Sequence, residues 1–137
     1  MSADELFGPA HVAKYVETDG EIGYLWRGVP TLILTTSGRT TGEQRSTPLI
    51  FGRDGDDVVI VASKGGAPVH PGWYRNLVKH PEVGVQILGD RFRARARTAD
   101  DEERARLWPV MTAIWPAYDE YETRTERKIP VVVLERL

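Results

Sequence analysis

Hydrophobic positions come in short runs separated by glycine, proline and aspartate, which predicts strands joined by tight turns. Residues 30–37 (PTLILTTS) are β-branched and apolar behind a proline, and predict a first strand. Residues 45–53 (RSTPLIFGR) predict a second. Pro48 within it lacks a donor, which suits an edge or a bulge. Asp54-Gly55-Asp56-Asp57 is a hairpin turn signal, and Val58–Ala62 after it is unbroken and apolar, so burial on both faces is expected. Val83–Leu88 is a fourth strand, Gly89-Asp90 a turn and Arg91–Thr98 a fifth strand. There Arg91, Arg93, Arg95 and Arg97 alternate with Phe92, Ala94 and Ala96, giving one charged and one apolar face. Such a row is more often solvated or ion-paired than a binding stripe. Ile129–Leu134 is apolar throughout and belongs in the sheet interior.

Helical spacing is confined to a few stretches. Residues 10–18 place Val12, Tyr15 and Val16 on one face and end at Thr18-Asp19-Gly20. Pro71 suits the first turn of a helix reaching Lys79, which His80-Pro81 stops. Asp100 and Glu103 form a capping-box pattern ahead of a helix carrying Leu107, Trp108, Met111, Thr112 and Trp115. Pro109 should kink or split it. A short last helix is expected over Trp115–Tyr121. Six strands with two or three helices and short connections suggest an antiparallel barrel or curled sheet with helices outside.

Composition narrows the function. The chain has 137 residues, enough for one domain with its own core, and no apolar run long enough to span a membrane. The polar N-terminus does not read as a signal peptide, so a cytoplasmic protein is expected. The absence of cysteine excludes disulfides, thiolate metal sites and a cysteine nucleophile. A net charge of −2 argues against general nucleic-acid binding. Charge is uneven, however: residues 58–81 contain Lys64, Arg75 and Lys79 and no acid, whereas Asp100–Glu103 is an acidic cluster. Arginine far outnumbers lysine, the usage of a GC-rich genome.

Chemistry concentrates in residues 35–76. Ser37-Gly38-Arg39-Thr40-Thr41-Gly42 is followed by Arg45, Ser46 and Thr47. Ala62-Ser63-Lys64-Gly65-Gly66 is followed by His70-Pro71-Gly72-Trp73-Tyr74-Arg75-Asn76. Both loops combine glycine, hydroxyls and a cation, the ingredients of an anion site: glycine admits close backbone approach, and amides and guanidinium supply donors. There is no Walker loop and no Gly-x-Gly-x-x-Gly after a strand. His11, His70 and His80 are scattered, and turn chemistry before proline accounts for the last two. Redox or group-transfer chemistry therefore needs a bound organic cofactor.

The strings Thr36–Gly42, Arg45, Pro48-Leu49, Ala62–Gly66 and Pro71–Leu77, continued by Trp108-Pro109, Trp115–Tyr121 and Ile129–Val133, resemble the deazaflavin-dependent nitroreductase family, quinone-reductase-like members included, over roughly residues 20–137. The resemblance implies an α+β, mainly β fold: a split β-barrel of the flavin-reductase kind, with residues 1–20 as an N-terminal helix or arm and 21–137 as the barrel domain. It implies an oxidoreductase that binds coenzyme F-420 (8-hydroxy-5-deazaflavin), with flavin mononucleotide the lesser alternative. The reduced coenzyme would pass a hydride to a quinone-like or nitroaromatic acceptor. The other reading is a non-catalytic module of the same barrel that holds F-420, another flavin or a haem-like ligand. By resemblance, Arg39, Thr40, Thr41, Arg45, Ser46, Thr47, Pro48, Leu49 and Ile50 line tail and ring. Val61, Ala62, Ser63 and Lys64 contact ring edge and phosphate, and Gly72, Trp73, Tyr74, Arg75 and Asn76 close the site. Ser63 and Tyr118 are the catalytic candidates, and Trp115, Tyr118 and Tyr121 the acceptor pocket. Relatives that reduce nitroimidazoles carry tyrosine where this chain has Trp115, which leaves acceptor choice open. A homodimer with at most peripheral membrane contact is expected.

Overall fold

The computed structural model describes residues 6–137. Helix α1 (Gly8–Thr18) leads into strands β1 (Leu25–Trp26), β2 (Val29–Ser37), β3 (Gln44–Ile50), β4 (Gly52–Asp54) and β5 (Asp57–Val61). Helix α2 (Gly72–Lys79), strands β6 (Glu82–Ile87) and β7 (Asp90–Thr98), helices α3 (Asp101–Ile114) and α4 (Ala117–Thr123), and strand β8 (Val131–Arg136) follow. All pairings are antiparallel: β2 with β1, β3 and β6, β6 with β7, β7 with β8, β8 with β5, and β5 with β4. β3 and β4 are consecutive, so the stretch from Gln44 to Asp54 joins β2 on one side to β5 on the other. The result is a split barrel, mainly β, with helices outside.

Strand alternation builds two cores. On β5, Val58 and Ile60 face the barrel interior with Leu32, Leu34, Val83, Val85, Ala94, Ala96, Val132 and Leu134. Val59 and Val61 face the opposite way, with Val131 and Val133, beneath Leu107, Met111 and Tyr118 of the outer helices. The unbroken apolar runs of β5 and β8 thus follow from burial on both faces. On β7 the arginines point outward: Arg91 pairs with Asp19, Arg93 with Glu82, and Arg97 with Glu103 and Glu135.

The elements differ from expectation in five respects. The run 45–53 is two strands, because the chain breaks at buried Phe51 and changes partner. Gly52, next in line, lies under α3, where a Cβ would sit 2.8 Å from Met111 Sδ. The two-residue β1 has no periodicity to read. α3 continues through Pro109 and breaks only at Trp115-Pro116. Ala105, whose carbonyl loses its donor to Pro109, is exposed, so water can satisfy it. The Asp100 cap forms, but Glu103 turns to Arg97 rather than back to the cap amide. With α1 and α4 both formed, the described residues hold four α-helices where two or three were expected.

Candidate functional site

β5 ends at buried Val61 and Ala62, and the chain then makes a tight loop outside the sheet. Ser63 is right-handed (φ −81°), whereas Lys64, Gly65 and Gly66 have φ of 46°, 62° and 81°. A right-handed residue followed by left-handed ones turns successive amides toward one concave side, an arrangement that cradles anions. The Ser63, Lys64 and Gly65 amides have no hydrogen-bond acceptor among the described residues, whereas Gly66 and Ala67 donate within the loop to the Ser63 and Lys64 carbonyls. Glycine is required at 66: besides its φ, an added Cβ would lie 2.7 Å from the Tyr121 carbonyl, so α4 packs directly on the loop.

Arg127, in the connection between α4 and β8, braces this loop. Its guanidinium donates to the carbonyls of Ala62 (3.2 Å), Ser63 (2.7 Å) and Ala67 (2.8 Å) and to His70 Nδ1 (3.0 Å). His70 packs its ring on Tyr74 at 4.9 Å. Burial and the Arg127 and Arg75 cations push the His70 pKa below its ordinary value, and burial lowers that of Arg127.

One open cleft of about 310 Å³ gathers the chemistry. Pro48, Leu49 and Ile50 at the end of β3 form one wall, with Val61, Ser63, Lys64 and Gly65 at the loop and Pro71 and Trp73 at the start of α2. Opposite stands an aromatic group. Trp115 lies 5.6 Å from Trp26, Tyr118 lies 6.2 Å from Trp108 and 6.1 Å from Tyr121, and Trp115 Nε1 reaches the Tyr121 hydroxyl at 3.4 Å. Tyr118 is 4% exposed, and its hydroxyl has no hydrogen-bond partner among the described residues. The cleft is therefore the direction open to it. Burial raises the pKa of this phenol well above 10, with Tyr121 adding to the shift, so it remains protonated at neutral pH.

The other sequence candidates do not line the cleft. Asn76 is buried and ties the two loops together: its Oδ1 accepts from the Arg39 amide and guanidinium, and its Nδ2 donates to Thr36 Oγ1. Lys79 Nζ donates to the Arg39 carbonyl at 2.7 Å. Thr40, Thr41 and Gly72 are exposed, and Thr41 Oγ1 accepts from the Glu43 amide. Arg45 is exposed and pairs with Glu43. Ser46 bonds Thr35 and lines a separate groove, Thr47 is half-buried on β3, and the Tyr74 hydroxyl meets Thr98. Lys64 and Arg75 have no carboxylate partner among the described residues.

Sequence reading missed Phe7, His11, Trp26 and Thr31, which also line the cleft. Phe7 and His11 arrive because α1 docks beside β1 and β2, which carry Trp26 and Thr31; there His11 Nε2 meets the Gly23 carbonyl and the Tyr15 hydroxyl donates to the Thr31 carbonyl. No local motif announces that docking. Arg127 was missed too, since it sits among charged residues that look alike in sequence.

Known proteins resemble this chain in sequence and fold. The family profile described as F420H(2)-dependent quinone reductase matches residues 9–136. An F420H(2)-dependent quinone reductase of Mycobacterium tuberculosis is 44% identical over 130 residues, covering 92% of this chain and 87% of its own. Among solved structures, one described as a domain-swapped dimer aligns with a TM-score of 0.75 and 35% identity over 90% of this chain and 96% of its own. An F420-H2 dependent reductase aligns with a TM-score of 0.72 and 38% identity over 77% of this chain and 94% of its own.

Proposed function

Because the chain belongs to the F420H(2)-dependent quinone reductase family, we propose that its cleft holds reduced coenzyme F-420 against a quinone. The protein is an F-420-dependent oxidoreductase. The coenzyme has a flat ring, a phosphodiester and a glutamate tail, which call for apolar walls, an anion cradle and outlying cations. The residues present fit. Pro48, Leu49, Ile50 and Trp73 offer the walls, the free amides of Ser63, Lys64 and Gly65 the cradle, and Lys64, Arg39, Arg45 and Arg75 the charge. When bound, the reduced coenzyme supplies the hydride.

The chain's own part is to bind, align and polarise. The Ser63 hydroxyl, at the cleft edge, hydrogen-bonds ring or acceptor. Tyr118 donates its hydrogen bond to the acceptor oxygen as negative charge develops there. A phenol whose pKa is raised by burial stays protonated, so it serves as a hydrogen-bond donor rather than a proton source. Trp115 and Tyr121 pack against the acceptor. A planar nitroaromatic suits the same aromatic wall as a secondary acceptor, subject to the indole at Trp115.

The observation that carries this reading is the convergence of the free-amide loop and the unpartnered Tyr118 hydroxyl on one cleft. The test is to titrate the protein with F-420 and then follow loss of reduced F-420 absorbance with menadione. Tight binding without turnover would leave a storage module instead. A homodimer is proposed in view of the domain-swapped neighbour, and light scattering checks it. Among the described residues no helix is long and apolar enough to cross a membrane.

A further inference from the structure

We propose that Arg127 is a positioning residue for the anion-binding loop, fixing the Ser63–Gly65 amides toward the cleft by holding the carbonyls at both ends of the loop and the His70 ring behind it. This inference rests on the reading of the cleft as an F-420 site and adds to it a residue that need not touch the coenzyme.

The acceptor set is the first argument. Arg127 has no carboxylate partner among the described residues, yet it is only partly exposed and donates to four neutral acceptors. A guanidinium held this way loses hydration without gaining an ion pair, and its pKa is lowered accordingly. Ordinary surface arginines in this molecule do the reverse: Arg106 forks onto Asp54 and Arg136 onto Asp90.

Loop geometry is the second argument. Lys64 is a non-glycine residue at φ 46°, a conformation that surrounding structure must hold in place. The loop's own bonds, Gly66 to Ser63 and Ala67 to Lys64, close the turn but do not anchor it to the barrel. Arg127 bonds Ala62 and Ser63 on the entering side and Ala67 on the leaving side, with His70 beyond. With these carbonyls drawn toward the guanidinium, the three free amides are left on the loop's open side. The five donors of arginine in a fixed fork suit such a spread of acceptors, and an ammonium does not.

The experiment compares Arg127→Ala, Arg127→Lys and, as a charge-loss control away from the loop, Lys128→Ala. F-420 affinity is read by titration, and the rate of reduced F-420 oxidation by menadione at saturating coenzyme. Positioning predicts that both Arg127 variants bind F-420 about tenfold or more weakly, the scale of 1.4 kcal/mol. Their rate at saturation and their KM for menadione should stay near wild type. Lysine should fare no better than alanine, since charge without the fork does not hold the loop. If Arg127→Lys binds as wild type does, the residue acts through charge and the inference is overturned. Wild-type affinity in Arg127→Ala overturns it as well. Should both variants fail to fold, Arg127→Gln, which keeps an amide donor without the fork, takes their place: weaker F-420 binding at an unchanged saturated rate supports the inference, and wild-type affinity overturns it. Failure of the wild-type protein itself to bind F-420 would instead overturn the reading of the cleft.

Discussion

Tyr118 shows how much one residue's surroundings decide. It is sealed by Trp108 and Tyr121, yet its hydroxyl is left for the cleft. Replacing it with phenylalanine keeps the ring and its packing and removes one donor. Tyr118→Phe should therefore lower single-turnover oxidation of bound, reduced F-420 by roughly 10²-fold, the scale of one lost oxyanion donor. F-420 affinity should stay within about twofold. Because burial raises the phenol's pKa, no loss of rate should be traceable to it between neutral pH and its ordinary value near 10. A wild-type rate in the variant would make Tyr118 a packing residue. At this scale the sequence was legible where residues sit in a motif: Ser63, Lys64, Trp73, Trp115, Tyr118 and Tyr121 all reach one cleft. It was not legible for Trp26 or Arg127. Their importance comes from partners 89 and 57–65 positions away, as in the Trp26 to Trp115 contact and the Arg127 bonds to 62–70.

Elements meet at the loop between β5 and α2, and two predictions belong there. Gly66 lies against the backbone of α4, so Gly66→Ala must strain its own φ and push Tyr121 away. Destabilisation of about 1–3 kcal/mol is expected, the scale of a forced backbone, and a raised KM for menadione should accompany it. An unchanged melting temperature would show that the α4 contact gives way easily. His70 supplies the pH term. Its pKa is lowered in the folded protein, first by burial and then by Arg127 and Arg75. The unfolded chain therefore takes up the proton first, stability is fully present above about pH 6.5, and it declines as pH falls through the folded pKa. His70→Asn keeps an acceptor for Arg127 without titrating, so its melting temperature should fall less than wild type's between pH 7 and 5. Parallel curves would remove His70 from the pH response. Elements with two buried faces, β5 and β8, were plain in sequence because nothing polar interrupts them. Phe51 hid a strand break because an inward aromatic reads the same whether a strand continues or changes partner. Pro109 misled because a helix can run on through a proline, bending enough to clear the ring, where water takes the carbonyl left without a donor.

Over the whole molecule, ion pairing sorts the charge. Arg91, Arg93, Arg97, Arg104, Arg106 and Arg136 are each matched to a carboxylate on the outer faces. Lys64, Arg75 and Lys79 have none among the described residues, and Arg39 is held by the neutral Asn76. A chain of net charge −2 thus keeps Lys64 in the lining of the cleft and leaves Arg39, Arg75 and Lys79 without a carboxylate among the described residues, positive charge that would attract an anionic coenzyme. The attraction is local and exposed, and the Debye length shrinks from about 10 Å at 0.1 M salt to about 3 Å at 1 M. F-420 affinity should fall steadily over that range, while the KM of an uncharged quinone such as menadione should not move. Arg45 contributes only part of this. It is 66% exposed and shared with Glu43, so Arg45→Ala should cost at most about 1 kcal/mol of binding and make the salt dependence shallower. Lys64→Ala, which removes a cation at the cleft itself, should weaken F-420 binding more than Arg45→Ala does. Titrations at several salt concentrations in the three proteins separate these terms. An affinity indifferent to salt would mean that the amides and apolar walls hold the coenzyme without help from the surrounding cations.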